Sequence, residues 1–462
     1  MLDKLTMTDN IPSNEEQIME ALASIPPEIQ KNMGPALFEL KKQIDMICGN
    51  KYITKKEWTF RNKAKLTDNQ LNMTWLIIKL TRAYSCSLLP YKPLNITYVE
   101  TSAISKELHM CDKDLTTLRS TTNKKLKETR EYMSEAFADE AIFSSKLEGA
   151  VTTEIVAKNM IRKNIPPKTK DEMMIMNNHE AMQYILDKKD IDLTPEFICE
   201  IQRIVTKGTL DTDEHSGMFR TTDDVYVTKP GTHEVLHHPP KAKKIPSLIQ
   251  ELCTFVNLDK RQGDLDDDSE YIHPLIVGIT LHFLIGYIHP FYDGNGRTAR
   301  TLFYWYVISR GYDLFRYIPI SKVIKKAPAK YRDAYLATEE DGLDLTYFIL
   351  YNIECIKKAR KALTEHLKRE MDRSTAVSRM IKELSDVTPR QIRIISYMAE
   401  HPEELFGITE IAERFSIAYQ TARTDLMDLE ARKYLWMKKK GKAFLYSIDE
   451  DLVKKIDAIQ QG

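Results

Sequence analysis

Cysteine is scarce in this chain, with six in 462 residues, and these show neither paired spacing nor a Cys-x-x-Cys motif. That pattern argues against a disulfide framework and a zinc site, and it is typical of a reducing compartment. No run of about 18 apolar residues occurs, so no membrane span is predicted. Basic and acidic residues number 67 each, so the net charge is zero. Nothing global therefore indicates a nucleic-acid coat or a membrane-surface protein.

The start of the chain also lacks a targeting pattern. Residues 1–17 are polar and acidic, without the basic and apolar regions of a signal peptide. We therefore expect a cytoplasmic protein. The length predicts two to four domains. The expected divisions are an N-terminal helical region at 1–110 without assignable chemistry, a central domain at 111–370, a linker at 371–387 and a C-terminal domain at 388–462.

Residues 289–300, His-Pro-Phe-Tyr-Asp-Gly-Asn-Gly-Arg-Thr-Ala-Arg, concentrate the chemically useful side chains. An almost wholly apolar run, Leu275 to Ile288, precedes them and predicts a helix buried on all sides. A second apolar run, residues 301–308, predicts another helix. The loop residues 293–296 can take positive φ values, which turn successive backbone N–H groups inward. With the dipole of the following helix, this predicts an anion site suited to phosphates.

The other residues of this stretch add reactive groups. Arg297 and Arg300 lie three apart and share a helix face, which suggests a polyphosphate ligand. His289 can act as a base near neutral pH. Asp293 is a hard oxygen ligand, suited to magnesium held jointly with phosphates. The combination predicts phosphoryl or nucleotidyl transfer. The alternative is a structural glycine-rich turn with a capping aspartate and surface arginines.

The pattern His-Pro-Phe-x-Asp-Gly-Asn-Gly-Arg-x-x-Arg resembles the Fic (Fido) motif at every fixed position. The resemblance implies a mainly α fold, a Fic helical bundle with a β-hairpin flap. It also implies transfer of AMP from ATP, with Mg²⁺, onto a Ser, Thr or Tyr hydroxyl of a target protein. The implied roles are deprotonation of the hydroxyl by His289, magnesium binding by Asp293, cradling of the α- and β-phosphates by Gly294, Asn295 and Gly296, and polyphosphate binding by Arg297 and Arg300, with Arg300 chiefly at the γ-phosphate.

A second pattern, residues 144–149 (Ser-Ser-Lys-Leu-Glu-Gly), ends a predicted helix from Leu126 to Lys146. It fits Ser/Thr-x-x-x-Glu-Gly/Asn, which marks an autoinhibitory helix in the Fic family. By that resemblance Glu148 would pair with Arg300 and take the place of the γ-phosphate. The same carboxylate could instead orient a water and let the enzyme remove AMP. The alternative is an ordinary solvated carboxylate near a helix end.

Two short β-prone runs predict a hairpin, with a Pro-Gly turn signal between them. The first run is Val225, Tyr226 and Val227, and the second covers residues 233–236. By the resemblance this is the flap that aligns the target backbone as an added strand, a mode that reads backbone rather than side chains. The alternative is a purely structural hairpin.

Several histidines and acids near the motif are expected to be structural or to depart from the family. His282 is predicted to be a core histidine, and the acidic run at 261–270 a solvated loop. Fic relatives often have paired tyrosines and a later asparagine near the adenosine. This chain has Tyr331-Arg332 and Glu339 there, which puts the preference for ATP in question.

From about Thr388 the chain resembles a winged helix-turn-helix domain, with three helices and a two-stranded wing around Gly441. If it binds DNA, its third helix would present Gln420, Thr421, Arg423 and Thr424 to bases, and the lysines at 438–440 and 442 would meet phosphates. Acidic residues on the third helix, at 425, 428 and 430, reduce its positive potential. A protein-interaction or dimerisation module is therefore an equal alternative.

Two functions remain open at this stage. The first is an autoinhibited protein adenylyltransferase, possible as a homo-oligomer. The second is a DNA-binding regulator whose Fic domain senses nucleotide. A Walker-type ATPase is disfavoured because the sequence contains no Gly-x-x-x-x-Gly-Lys-Ser/Thr motif.

Overall fold

The structure is a computed structural model that describes residues 51–122, 126–229, 231–232, 234–262, 271–382, 387–402, 404–441 and 443–461. The first 50 residues of the predicted N-terminal helical region lie outside these residues, as does most of the acidic run at 261–270. The chain divides into two compact units, residues 1–357 and 358–462, and each is described by itself.

The first unit is mainly helical, as predicted. Its described α-helices are α1 (Lys55–Asn62), α2 (Asp68–Ala83), α3 (Ser102–Thr122), α4 (Leu126–Leu147), α5 (Glu154–Arg162), α6 (Lys170–Asp187), α7 (Pro195–Thr206), α8 (Ile245–Gln262), α9 (Pro274–Ile288), α10 (Asn295–Ser309), α11 (Ile320–Lys325), α12 (Pro328–Glu340) and α13 (Thr346–Lys382), which continues beyond the unit boundary. Among the described residues, no helix is both long and apolar enough to cross a membrane.

Four short strands accompany these helices. The antiparallel pairs are β1 (Ser87–Leu88) with β2 (Thr97–Tyr98), and β3 (Val227–Thr228) with β4 (Val235–His237). The second pair is the hairpin predicted between residues 225 and 236. Its first strand begins later than expected. Three residues, 225–227, were predicted to form that strand, but only Val227 of these lies in β3. Pro230 and His233, in the turn, lie outside the described residues.

The central helix α9 is buried along its length, apart from Gly286 and Tyr287 near its end. Each fully buried Leu, Ile or Phe contributes about 1.5–3 kcal/mol. α10 packs closely beside it, because Gly278 has no side chain: a Cβ there would lie 2.9 Å from Cγ1 of Val307. The motif loop therefore connects two rigid core helices, as the hydrophobic pattern predicts.

The helix predicted from Leu126 to Lys146 is present as α4 and ends at Leu147. Gly149 follows with φ +104°, a conformation that favours glycine and ends the helical path. The N-cap of α7 is Thr194, whose hydroxyl accepts from the Phe197 N–H 3.1 Å away, with Pro195 in the first turn. Both helices bring residues to the motif: Glu148 directly follows α4, and Gln202 lies on α7.

The second unit contains three helices followed by a hairpin and a last helix. The elements are α14 (Pro389–Glu400), β5 (Phe406–Gly407), α15 (Ile408–Phe415), α16 (Tyr419–Ala431), β6 (Leu435–Lys440), β7 (Ala443–Ile448) and α17 (Glu450–Gln461). The strands form one antiparallel sheet in the order β5-β7-β6. Its core is apolar and includes Ile394, Phe406 and Leu426.

The region expected to be a linker at 371–387 differs from that expectation. α13 continues as a helix to Lys382, while residues 383–386 lie outside the described part. Strong helix formers such as Leu, Lys, Glu and Arg dominate residues 363–373, so the local sequence favours helix over coil. The domain boundaries stay predictions.

Candidate active site

His289 occupies a strained position directly after α9. Its backbone is left-handed, with φ 48° and ψ 59°, which costs a non-glycine residue on the order of 1–3 kcal/mol. Two hydrogen bonds hold this turn. The His289 N–H donates to the Ile285 carbonyl at 3.0 Å, and the His289 carbonyl accepts from Nε of Arg220 at 2.9 Å. The surrounding fold therefore fixes the position of the proposed base.

The His289 ring is poised to accept a proton. Nδ1 lies 3.2 Å from the Gly286 carbonyl oxygen. Because a carbonyl only accepts, Nδ1 carries the hydrogen and Nε2 keeps its lone pair. Burial lowers the pKa of His289 to about 4, against the opposing effect of the Gly286 bond. The ring is therefore neutral near pH 7 and can act as a base.

The motif loop is closed by the side chain of Asn295. Its Oδ1 accepts from the Phe291 N–H at 2.9 Å, and its Nδ2 donates to the Phe291 carbonyl at 2.8 Å. Of the four loop residues at 293–296, only Gly294 has positive φ, at +81°. Asn295 and Gly296 instead begin α10, so the helix starts inside the motif.

The N-terminus of α10 is open toward the site. Its N-cap is Gly294, which brings no capping side chain. The first N–H groups of a helix lack intrahelical partners, and the helix dipole adds positive potential there. A backbone of this kind is suited to phosphate oxygens. Asn295 would contribute through its N–H, because its amide group is bonded to Phe291.

Arg300 forms the predicted ion pair with Glu148. Its Nη2 lies 2.8 Å from Oε1 of Glu148, and Ser144 accepts from Nε at 2.9 Å and from Nη2 at 3.1 Å. The Arg300 side chain is only 4% exposed. Burial raises the pKa of Glu148, but the charge and hydrogen bond of Arg300 outweigh it and hold that pKa below its usual value. Glu148 is therefore ionised at neutral pH.

Gly296 lets Glu148 approach the first turn of α10. A Cβ built on Gly296 would overlap Oε1 of Glu148 and lie 3.1 Å from Nη1 of Arg300. The glycine has ordinary helical φ, so space rather than backbone freedom requires it. Glu148 thus lies against the same helix end that is suited to phosphate.

Arg297 has a different environment from Arg300. Its Nη1 donates to the Val205 carbonyl at 2.6 Å, and its Nη2 lies 3.4 Å from Oδ2 of Asp293. The side chain is 1% exposed. Arg297 therefore connects the end of α7 to the motif loop and places positive charge behind it.

Asp293 fits the magnesium prediction in one respect. Its side chain is about half exposed, and Oδ1 also accepts from the Gly294 N–H. The described residues contain no cluster of three or more His, Cys, Asp or Glu that could hold a metal. Magnesium is commonly held by one or two carboxylates together with substrate phosphates. One carboxylate beside a phosphate-binding helix end matches that donor set.

Two positioning residues were missed by sequence reasoning. Gln202 on α7 donates from Nε2 to the Asp293 carbonyl at 3.1 Å and accepts from the Gly217 N–H. Arg220 is 2% exposed and donates to the carbonyls of His289, Thr222 and Pro240. Hydrogen bonds to distant carbonyls leave no periodic signal in a sequence.

Glu140 anchors α4 two turns before Glu148. Its carboxylate accepts from the Tyr304 hydroxyl at 2.8 Å, from the Ser321 N–H at 2.9 Å and from the Ser321 hydroxyl. It is 2% exposed. Burial raises the pKa of Glu140, while the bonds from Ser321 and Tyr304 oppose that rise. The helix that ends in Glu148 is thereby fixed to α10 and to the start of α11.

His282 is a core histidine, as predicted. It is 1% exposed, its Nε2 lies 2.8 Å from the Tyr331 hydroxyl, and burial lowers its pKa to about 3. Glu339 contacts His237 of β4 at 2.7 Å. Glu339 therefore contacts the hairpin in this structure.

In the second unit, α16 presents the side chains predicted to face bases. Gln420, Arg423 and Thr424 are exposed and Thr421 is half-buried. Asp425 is 4% exposed and bonded to Arg390 at 3.0 Å.

Asp428, another acid on α16, also has polar and basic partners. Asp428 accepts from Gln391 at 2.7 Å and pairs with Arg432 at 3.0 Å. The lysines at 438–440 on β6 are exposed, and Lys442 lies outside the described residues. Two of the three acids that tempered the DNA prediction are therefore neutralised.

A buried neutral histidine, an open helix N-terminus and a buried arginine on a helical fold form a site whose charges suit an anion such as phosphate. Residues 192–307 match the Fic/DOC family. The matched residues include the whole dodecamer.

Several relatives carry the same family name. The chain is 28% identical over 229 residues to "Protein adenylyltransferase Fic" of Drosophila melanogaster, covering 48% of this chain and 41% of that one. It is 24% identical over 230 residues to the protein of that name in Nematostella vectensis, covering 44% and 50%. The chain thus spans about half or less of the length of these curated relatives.

Solved structures of Fic proteins also align with the chain. A Fic family protein from Desulfovibrio desulfuricans G20 aligns at 16% identity and a TM-score of 0.49, covering 76% of this chain and 98% of that one. Fic-1 (residues 134–508) from C. elegans aligns at 16% identity and a TM-score of 0.47, covering 78% and 94%.

Proposed function

We propose that this protein is a protein adenylyltransferase, which moves AMP from ATP to a hydroxyl of a target protein and is restrained by Glu148. The observation that carries the proposal is the Glu148–Arg300 pair lying against the motif that holds His289. The names of the relatives support the same reaction for the Fic domain.

The chemistry follows from the groups present. Nε2 of His289 accepts the proton of the target hydroxyl, and the hydroxyl oxygen bonds to the α-phosphorus. The bond from that phosphorus to the bridging oxygen of the β-phosphate breaks, and pyrophosphate leaves. The N–H groups of Gly294, Asn295 and Gly296 stabilise charge on the phosphate oxygens. Bound at Asp293, magnesium would supply neutralising charge to the phosphates.

Restraint by Glu148 has two physical causes. An Arg300 that is bonded to Glu148 and Ser144 is not free to bind a γ-phosphate. The ionised carboxylate also repels a phosphate brought to the same place. In the reverse direction, Glu148 would orient a water whose oxygen bonds to the phosphorus of the attached AMP. The bond from that phosphorus to the protein oxygen breaks, AMP leaves, and the proton lost by the water ends on the released protein hydroxyl. Both directions use the same site.

The hairpin β3–β4 is proposed as the flap that receives the target. An extended target segment would add to it as a strand, which positions a hydroxyl near His289 through backbone bonds. Val225 and Tyr226 precede β3, and Tyr226 is exposed. Target identity would depend on contacts outside the hairpin.

Intact mass spectrometry after incubation with ATP and magnesium tests this proposal. We expect weak addition of AMP to the wild type, strong addition to Glu148→Gly and none to Glu148→Gly/His289→Ala. Equal labelling of all three proteins would contradict the proposal. An absence of labelling by Glu148→Gly in the presence of an extract of potential targets would also contradict it. Incubating a pre-modified target with wild type and Glu148→Gly separates transfer from removal.

We propose a second function for the second unit, as a winged helix domain that binds DNA. The supporting observation is the neutralisation of Asp425 by Arg390 and of Asp428 by Arg432, which leaves Arg423 and the β6 lysines exposed. A gel shift of the full chain on its own upstream DNA at two salt concentrations tests it. Binding that is insensitive to salt, or absent, would favour a protein-interaction module.

A further inference from the structure

We propose that His237 and Glu339 form a latch that positions the hairpin relative to His289, and that this latch holds one shared proton. The inference rests on the proposed role of the hairpin as a flap. It gives a positioning role to a histidine and a glutamate that the proposed transfer chemistry does not use.

The latch joins three elements. His237 is the last residue of β4 and is 8% exposed. Its Nε2 lies 2.7 Å from the Tyr287 carbonyl oxygen, two residues before His289. Its Nδ1 lies 2.7 Å from Oε2 of Glu339 on α12. Loss of these bonds would free the second hairpin strand from the end of α9.

Counting hydrogens shows that the latch needs a proton. The Tyr287 carbonyl can only accept, so Nε2 of His237 must donate. A carboxylate also only accepts, so a hydrogen must lie between Nδ1 and Oε2 of Glu339. Because an imidazole is more basic than a carboxylate, this hydrogen lies on Nδ1, so the pair is an imidazolium beside a carboxylate. At 2.7 Å this is a charge-assisted bond when the ring is charged.

The elements packed around the pair bring charges of both signs. On α9, the Tyr287 ring lies 5.1 Å from the His237 ring. The pKa of Tyr287 is raised, mainly by burial and secondly by the charge of Glu339. On α12, burial raises the pKa of Tyr335 well above its usual value, so this neighbour of Glu339 stays neutral. The carboxylate of Glu339 is therefore the group here that favours the shared proton.

Positive charge on the other side of the His237–Glu339 pair disfavours the shared proton. Arg220, at the base of the hairpin, donates to the Pro240 and His289 carbonyls. His289 itself is neutral, because its pKa is lowered by burial. On the hairpin, His238 packs edge-on against Tyr226, 5.3 Å between ring centroids, away from the His237 bonds. Replacing Glu339 by a neutral residue should therefore remove the charge-assisted bond to Nδ1 of His237.

The consequence concerns the acceptor and not the nucleotide. When the shared proton leaves, two acceptors face each other and the latch opens, so a strand added to the hairpin is no longer held at a fixed distance from His289. Glu148, Arg300 and the α10 end have no contact with the pair among the described bonds. We expect Glu339→Gln to raise KM for the acceptor while ATP affinity stays constant.

Imidazole NMR of the full chain with ¹⁵N-labelled histidine tests the proton count directly. We expect a His237 signal with both nitrogens protonated, identified by its loss in His237→Gln. In Glu339→Gln this two-proton signal should be lost under conditions where the wild type shows it. Glu340→Gln, which removes the same charge from an exposed neighbour, should leave it unchanged. A His237 ring with one hydrogen in the wild type, or the same signal in Glu339→Gln as in the wild type, would overturn the latch.

Amide hydrogen exchange and labelling then test positioning. At one pH, peptides spanning residues 220–240 should exchange about tenfold faster in Glu339→Gln than in Glu340→Gln, the loss expected for a charged hydrogen bond. In the Glu148→Gly background, labelling of an acceptor should show a higher KM for Glu339→Gln than for Glu340→Gln, with unchanged ATP binding. Equal KM values in the two variants would refute a positioning role. Because NMR and exchange need no AMP transfer, they separate failure of the latch from failure of the proposed function.

Discussion

Replacing Glu148 by glycine should tighten ATP binding without tightening ADP binding. In the proposed mechanism the Glu148 carboxylate and the γ-phosphate compete for Arg300, whereas ADP has no γ-phosphate. ATP must therefore displace Glu148 from Arg300 before it can bind productively, and ADP need not. The difference between the two nucleotides isolates this one contact.

The geometry sets the size of the effect. Nη2 of Arg300 lies 2.8 Å from Glu148, and the two side chains are 4% and 30% exposed. A hydrogen bond to a charged group contributes about 1.5–3 kcal/mol net. Because Glu148 retains partial solvation, we take about 2 kcal/mol, which corresponds to about 30-fold in affinity. Glu148→Gln, which keeps the shape but loses the charge, should give an intermediate gain.

Isothermal titration calorimetry measures this in a His289→Ala background, where no AMP transfer alters the titration. We expect ATP affinity to rise about 30-fold in Glu148→Gly, while ADP affinity changes by less than about threefold, the factor equivalent to roughly 0.6 kcal/mol. Equal gains for both nucleotides would mean that Glu148 blocks the site generally. No gain for ATP would refute competition for Arg300.

Three further predictions follow from the site. The labelling rate of Glu148→Gly should stay level from about pH 8 to pH 5 and halve only at or below about pH 4. Burial keeps His289 unprotonated, and loss of the Glu148 charge lowers the pKa of His289 further. A midpoint near pH 6.5 in rate–pH profiles would contradict this prediction. Gly296→Ala should lower the free energy of unfolding by about 1–3 kcal/mol in wild type and by less in Glu148→Gly, where the overlap is gone; equal losses in urea denaturation would exclude that contact. Lys439→Ala should reduce the slope of log affinity for DNA against log salt by about one, and an unchanged slope in gel shifts would remove β6 from the interface.

The parts of the site that lie together in sequence were predictable. The apolar run before His289 and the Asp-Gly-Asn-Gly loop after it specify a buried helix, a turn and a second helix through local periodicity and turn chemistry. The start of α10 was placed too late, because the Asn295 side chain closes the loop on Phe291 and lets the helix begin within the motif.

Residues joined only by the tertiary fold were not predictable. Arg220 and the His289 carbonyl are 69 positions apart, Gln202 and the Asp293 carbonyl 91, and His237 and Glu339 102. A bond between a side chain and a distant backbone oxygen imposes no spacing on the sequence. The Glu148–Arg300 pair, 152 positions apart, was foreseen only through the family resemblance.

In the proposed mechanism, the anchoring of α4 by Glu140 determines which part of that helix could move to release Arg300. Because Glu140 is fixed by Tyr304 and Ser321, withdrawing the whole helix would break a buried polar network, whereas unwinding its last turn from Ser144 onward would leave that network intact. A small ligand, a short peptide or a phosphoryl group that relieves the proposed restraint would therefore need to contact only a few residues around Gly149, outside the proposed nucleotide site.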